Sequence, residues 1–188
     1  MTDGYQVYHK LAKEKGGLTV ARCWAHARRW YEEAVKSLPA KSRKSSLAWQ
    51  ALEQINMIYH VDNTLKELTP EERKKRRQDS VKPLVEAYFA WVKEKKKDGR
   101  IAEKSKTGKG LSYSLNQEEY LKVFLENGNV PLDNNAAERA IRNFCIGRKN
   151  WVIIDTIRGA QSSAMIYSIA ETAKSEPSKT IMNTLNIY

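Results

Sequence analysis

Several features are scarce in this sequence of 188 residues. It has only two cysteines, Cys23 and Cys145, too few for a disulfide framework, and this favours the reducing cytoplasm. It has no run of about eighteen apolar residues, so no transmembrane helix is predicted. The first residues lack a basic start followed by an apolar stretch, which argues against a secretory signal. We therefore expect a cytoplasmic protein with no disulfide and no membrane association.

Positive charge is the strongest bulk property. The chain has 33 Lys and Arg against 22 Asp and Glu, a formal net charge of +11, while 41% hydrophobic residues and five tryptophans predict a folded protein. Such a charge favours a polyanionic partner, of which nucleic acid is the commonest. An anionic membrane surface is the alternative, but the most basic stretch lacks the bulky apolar face of a membrane-binding helix.

Most of the chain shows the apolar spacing of amphipathic helices. Helices are predicted at about residues 4–15, 25–38, 47–68, 69–82, 84–92, 117–127, 136–144 and 161–174. Short apolar runs at 18–24 and 151–154 are typical of buried strands, and the basic, glycine-containing stretch 93–110 predicts an exposed loop. These patterns predict an α/β fold that is mostly helical.

A helix start is well marked at Thr69. Threonine can cap a helix, Pro70 suits the first turn, and Glu72 stands at the capping-box position. The helix contains the cationic run 73–77, and Pro83 is expected to kink or end it. Five consecutive cations occupy all sides of a helix, so some must face solvent. The run has two open interpretations, a solvated helix face or a phosphate contact.

Two further sets of residues admit a structural and a functional interpretation. Five aromatic side chains are expected in the core rather than stacked on bases: Trp24, Trp30, Trp49, Trp91 and Tyr88. Cys23 and His26 have the spacing of half a zinc site, but no second pair stands at ligand spacing, which disfavours zinc. The alternatives are a supporting role beside an active site, or simply a buried thiol and a hydrogen-bonded histidine.

The stretch 131–151 is the richest in chemically functional side chains. Glu138 lies in the first turn of a predicted helix that three N-capping residues, 133–135, open. One interpretation is structural, because Glu138 could complete a capping box with Asn135 or form an exposed ion pair with Arg142. The other is metal-assisted phosphoryl transfer, since cations suited to phosphates surround this carboxylate. Those cations are Arg139, Arg142, Arg148, Lys149 and Arg158.

Taken together, several blocks resemble the insertion sequence 66 family of bacterial transposases. The early blocks are Thr2-Asp3-Gly4-Tyr5 with Tyr8, and Cys23-Trp24-Ala25-His26-Ala27-Arg28-Arg29. The later blocks run from Asp133 to Arg142, from Ile146 to Trp151, from Arg158 to Ala160, and from Ile166 to Ser168 with Glu171 to Lys174. Each block is weak alone, but they occur in the family's order between residues 2 and 174, and the set is specific.

The resemblance implies a DDE-type enzyme with a ribonuclease H-like fold and three metal-binding carboxylates. Asp3 matches the family's second carboxylate and Glu138 the third, both as catalytic Mg²⁺ ligands. The cations named above would bind the DNA of transposon ends, and Cys23 with His26 would support the site. Asp155 has no catalytic role in this match and is expected to be a loop residue.

The same resemblance divides the chain. Residues 1–38 would be a remnant of the ribonuclease H-like core, 39–128 a large helical insertion, and 129–174 the return to the core with the third carboxylate helix. The last part, 175–188, departs from the family's usual tail.

The family's first Asp lies upstream of the position of Asp3, so we expect an incomplete core and a C-terminal fragment that does not cleave DNA by itself. The alternative is a non-catalytic DNA-binding or accessory remnant; an RNA-binding role has no supporting motif. Without its first strands the sheet would expose the flank of strand 18–24, so self-association through that edge is also predicted.

Overall fold

The computed structural model describes residues 10, 12, 14, 17, 19–136, 138–139, 141–142, 145–146 and 156–175. Its contacts divide the chain into two compact units, Met1–Asn134 and Asn135–Tyr188. The first unit, called the helical unit below, contains almost all of the buried side chains that the structure describes.

The helical unit is built from six α-helices with defined bounds within the described residues. They are α1 (Trp24–Lys36), α2 (Leu47–Asn63), α3 (Pro70–Arg76), α4 (Lys82–Lys97), α5 (Lys106–Asn116) and α6 (Glu118–Glu126). A 3₁₀ turn, Ala40–Ser42, precedes α2, and a π-helical turn, Arg77–Val81, joins α3 to α4. The second unit contains α7 (Ile157–Ser175), and its described residues between 135 and 146 are also helical.

The predicted α/β fold with a ribonuclease H-like sheet is wrong for the described residues, which are helical and form no sheet. In the run 18–24, only Arg22 makes an isolated bridge, and α1 already begins at Trp24. The backbone N–H of Arg22 donates to the carbonyl of Tyr120, and that of Trp24 to the carbonyl of Leu132. Residues 21–24 of this run are buried, and their backbone bonds to α6 and to Leu132 and not to a neighbouring strand. The second predicted strand, 151–154, lies outside the described residues.

Self-association through a sheet edge therefore loses its basis. That prediction depended on unpaired backbone groups along the run 18–24. In the described residues these groups meet Tyr120 and Leu132 instead, and there is no edge for another chain to extend.

The core of the helical unit lies between α1, α2, α4, α5 and α6, with Trp24 near its centre. The indole Nε1 of Trp24 donates to the carbonyl of Leu121 at 2.9 Å, and its ring packs edge-on against Phe89 and Phe124. Tyr88 is also fully buried. The core prediction is confirmed for these two residues, whereas Trp49 and Trp91 are partly buried at the margin. Trp30 is partly exposed, with the Lys109 ammonium 5.8 Å from its ring centroid.

Close approach between α1 and α5 explains a second difference from the sequence prediction. The stretch 93–110 was expected to be a loop, but its first part completes α4 and its last part begins α5. Ser105 caps α5 by accepting from the backbone N–H of Gly108 at 3.0 Å. A Cβ on Gly110 would stand 2.8 Å from the ring of Tyr31. Glycine here allows helix packing, although in a sequence it is typical of a loop.

The helical run from α3 to α4 changes its hydrogen bonding just before Pro83. The capping box predicted at Thr69 is confirmed, with both Thr69 and Glu72 making their reciprocal bonds. Pro83 does not end the helix, and a π-helical turn precedes it instead. Proline has no N–H to offer one turn back, so widening this turn accommodates the missing bond.

Arg77 lies at this π-helical turn and is buried, with only 2% of its surface exposed. Its guanidinium forms two bonds to the Asp62 carboxylate at the end of α2, at 2.7 and 3.0 Å. It also donates to the carbonyls of Phe124, Asn127 and Val130, at 2.8, 3.3 and 2.8 Å. Arg77 therefore joins the end of α2 to the segment that follows α6.

Substituting Arg77→Ala is expected to lower the free energy of unfolding by about 3–5 kcal/mol, because Asp62 would remain buried without its cation. The matched control is Arg76→Ala, the exposed neighbour, for which a loss below about 0.5 kcal/mol is expected. Urea unfolding followed by circular dichroism measures both. Similar small losses for the two variants would show that the buried pair does not stabilise the fold.

Candidate functional site

Glu138, the predicted third carboxylate, lies on a helical segment that begins at Asn135 in the second unit. It is partly buried, whereas Arg139 and Arg142 of the same segment are exposed. Arg158 is also exposed, in the first turn of α7. Three cations predicted to bind phosphate are therefore accessible to solvent.

The other predicted site residues, Asp3, Arg148 and Lys149, lie outside the described residues, as does Asp155. The pairing of Asp3 with Glu138 stays a prediction for that reason. Within the described part of the chain, no group of three or more His, Cys, Asp or Glu side chains could hold a metal ion.

Cys23 and the segment before Glu138 are in direct contact, although 111 positions separate them in the sequence. The backbone N–H of Asn134 donates to the Sγ of Cys23 at 3.3 Å. The next residue, Trp24, donates its backbone N–H to the carbonyl of Leu132 at 3.1 Å. The start of α1 thus anchors residues 132–134, which lead into the helical segment carrying Glu138.

Tyr59 on α2 lies close enough to Asp133 for the charge of the carboxylate to act on its hydroxyl. Burial, followed by this negative charge, raises the pKa of Tyr59 above its ordinary range, so the hydroxyl stays protonated. The Arg28 guanidinium lies 5.8 Å from the ring centroid of Tyr59. We name this contact set the junction cluster: Cys23, Arg28, Tyr59, Asp133 and Asn134.

The Cys23 thiol is suited to a structural role. Burial raises its pKa, and the charge of Asp133 acts in the same direction, against weaker opposing bonds from the backbone of Asn134, Ala25 and His26. A neutral, buried thiol is a poor nucleophile and a poor metal ligand, because both functions need the thiolate. His26 lies in the first turn of α1 and donates its backbone N–H to the carbonyl of Cys23.

The cationic run 73–77 divides into structural and exposed residues. Arg77 is buried, and Arg73 donates to the carbonyls of Leu65, Leu68 and Gly128, at 3.1, 2.9 and 2.9 Å. These two arginines donate to backbone carbonyls near the ends of α2 and α6, so they are not free to bind phosphate. Lys74, Lys75 and Arg76 are exposed, which is consistent with both a solvated helix face and a phosphate contact.

Sequence reasoning missed Asp62, Tyr59 and the Asn134 amide as partners in these contacts. Asp62 and Tyr59 lie in a helix with an ordinary apolar stripe, where nothing marks them as polar partners of distant segments. The Asn134 contact is made by a backbone group, for which no side-chain pattern exists.

Comparison with known families identifies the chain. The family model described as "Transposase IS66 family" matches residues 1–162. The chain belongs to the IS66 family of transposases. The resemblance found in the sequence blocks is therefore confirmed.

Three similar proteins come from Sinorhizobium fredii (strain NBRC 101917 / NGR234), and each bears the name of an uncharacterized protein. The protein y4hP is 31% identical over 179 residues, which cover 92% of this IS66-family chain and 32% of the relative. The proteins y4qI and y4jD are 29% and 28% identical over 180 residues, covering 92% of the chain and 32% and 33% of the relatives. The chain thus spans about a third of the length of these relatives, and no solved structure matches it.

Among the described residues of this IS66-family chain, no helix is both long enough and apolar enough to span a membrane.

Thiol labelling at about pH 8 tests the environment of Cys23. Cys145 is exposed and is expected to react with a thiol reagent in the folded protein, while Cys23 is buried with a raised pKa and is expected to react only on unfolding. Cys145→Ser serves as the matched variant, in which folded protein should show almost no labelling. Rapid labelling of that variant without denaturant would contradict the burial of Cys23 in the junction cluster.

Proposed function

We propose that the chain is a C-terminal part of a DDE-type DNA transposase and carries two of its metal-binding carboxylates, Asp3 and Glu138. Family membership supports the general activity, and the position of Glu138 supports its role. Glu138 lies one turn beyond the anchored segment 132–134 and has exposed arginines beside it.

The described residues partly fit a magnesium site. A partly buried carboxylate provides the oxygen ligand that Mg²⁺ takes, but the described residues include no group of three or more His, Cys, Asp or Glu that could hold the ion. Asp3 would add one ligand, and the remaining carboxylate would come from outside these 188 residues. Once bound, the metal would activate the attacking oxygen and stabilise the leaving one during displacement at phosphorus.

The chain's own side chains would hold the DNA. Arg139, Arg142 and Arg158 are exposed and positively charged, so they can bind phosphate oxygens of the strand that is cut. Arg148 and Lys149 are assigned the same role from the sequence. Phosphate contacts of this kind fix the register of the DNA and carry no base specificity.

A non-catalytic DNA-binding or accessory role is the second candidate. It needs only the exposed cations Arg139, Arg142 and Arg158, which can bind phosphate without a metal. The two candidates differ in whether Glu138 is needed for cleavage once the rest of the transposase is present.

Cleavage of labelled insertion-sequence end DNA with Mg²⁺ distinguishes them, comparing the 188-residue chain with a longer protein that includes upstream residues. We expect cleavage by the longer protein alone. Glu138→Gln in that protein should lower the rate by more than about a hundredfold, since even outer-shell changes at metal sites cost 10–100-fold. Glu119→Gln, an exposed acid on α6, is the matched control and should leave the rate unchanged.

Two results would contradict the proposal. Equal cleavage by Glu138→Gln would remove Glu138 from the site and favour the accessory role. Cleavage by the 188-residue chain unaided would mean that it completes the site itself, and Asp155 would then be tested first. Asp133 is a weaker suspect, because it belongs to the junction cluster beside Tyr59.

A further inference from the structure

Positive charge is concentrated at one end of the helical unit. We call this the basic end and define it as residues 36–46 and 93–109. These residues include twelve Lys and Arg against three Asp and Glu. They comprise the end of α1, the connection to α2, the end of α4, and the connection to the start of α5.

The opposite end of the helical unit is neutral by comparison. Residues 62–82 carry seven Lys and Arg against five Asp and Glu, a net charge of +2 compared with +9 at the basic end. The helices α2 and α4, of 17 and 16 residues, each run between the two ends. At 1.5 Å per residue they separate the ends by about 24 Å. The junction cluster includes the start of α1 and so lies far from the basic end.

Packing brings the two parts of the basic end together. The helix α1 packs against both α2 and α5, and α4 packs against α2 and α5. Lys106 at the start of α5 lies 3.5 Å from Glu33 near the end of α1. Lys96 near the end of α4 reaches Glu103 and Ser112, at 2.7 and 3.0 Å. Cations from three separate segments therefore share one surface.

Acidic neighbours neutralise only part of this surface. Ion pairs join Lys93 to Glu118, Lys95 to Glu94, Lys96 to Glu103, Arg100 to Asp98, and Lys106 to Glu33. Within the described part of the chain, six other lysines of the basic end are exposed and make no ion pair. They are Lys36, Lys41, Lys44, Lys97, Lys104 and Lys109.

The fold does not require these lysines. Cations in the last turn of α4 suit the helix dipole, but Lys41, Lys44 and Lys104 lie in connections between helices. Like charges gathered on one surface repel each other, so the arrangement lowers stability unless a polyanion binds there.

We propose that the basic end binds the phosphate backbone of duplex DNA, as a second DNA-contacting surface separate from the cations around Glu138. This rests on the proposed function, which makes DNA the polyanion. Flexible lysines without a bidentate partner suit phosphate contact, not base recognition. Among the described residues, none of the large hydrophobic side chains that are exposed is aromatic, so the basic end offers no stacking platform for single strands. It also has no large exposed apolar side chain to enter a membrane.

Fluorescence anisotropy of the 188-residue chain, with a labelled DNA duplex of unrelated sequence, tests the proposal at several salt concentrations. The variant replaces Lys41, Lys44, Lys97 and Lys104 by Gln. Binding should weaken on the order of tenfold or more at about 0.1 M salt. The slope of log affinity against log salt should fall by about one for each lysine that holds a phosphate.

A second quadruple variant with the same net charge serves as the control. It distinguishes DNA binding at the basic end from attraction by the overall positive charge of the chain. It replaces Lys66, Lys74, Lys75 and Lys82 by Gln, four exposed lysines of the neutral end. Its affinity and salt slope should stay close to those of the unsubstituted chain. Circular dichroism checks both proteins, and the four single variants of the basic end are measured beside the quadruple, so a folding defect cannot imitate the effect.

Each outcome either supports or overturns the proposal. The proposal is supported if only the basic-end variant loses affinity for duplex DNA. It is also supported if the losses of affinity in the four single variants add up to the loss in the quadruple variant. An equal loss of affinity in both quadruple variants, or no loss of affinity in the basic-end variant, overturns the proposal. Binding to phosphatidylserine vesicles without binding to duplex would assign the surface to a membrane instead. The cleavage assay on Glu138→Gln is independent, so the proposed function can fail while the basic end still binds duplex, or the reverse.

Discussion

The guanidinium of Arg77 lies among five oxygen acceptors from separate parts of the helical unit, and it joins the end of α2 to the segment 124–130. Two acceptors belong to the Asp62 carboxylate and three are carbonyls of the segment 124–130. Removing an arginine from water is costly, and only a complete set of partners offsets that cost. The carbonyls at the end of α6 would otherwise lack donors, since the last turn of a helix cannot bond to itself.

This arrangement fixes the path of the chain toward the proposed catalytic residue. Arg73 holds the carbonyl of Gly128, Arg77 holds that of Val130, and the start of α1 holds residues 132 and 134. The segment is therefore bound at successive points up to the end of the helical unit. The segment therefore follows one path as far as Asn134, the last residue of the helical unit.

The sequence allowed the helices, the Thr69 capping box and the buried Trp24 to be predicted, because these depend on local spacing and on apolarity. Predictions from the sequence were wrong where contacts between distant segments determine the local structure. The apolar run 18–24 has the composition of a strand, but its buried backbone pairs with α6 and the 132 carbonyl. The glycines of 108–110 indicate a loop until their close contact with α1 and the 102–103 backbone is known. Likewise, no local feature separates buried Arg77 from exposed Arg76. For the candidate site, the family followed from sequence, while the junction cluster and the exposure of Arg139 and Arg142 required the three-dimensional structure.

Hydrogen–deuterium exchange on the unsubstituted protein tests the central claim that the segment 124–134 is held as firmly as the core. The account predicts that peptides covering this segment exchange as slowly as those of α1, and that both open together when denaturant is added. Fast exchange in 124–134, beside slow exchange in α1, would contradict it. Arg77 would then stabilise only the helices that it contacts, and not the segment 124–134.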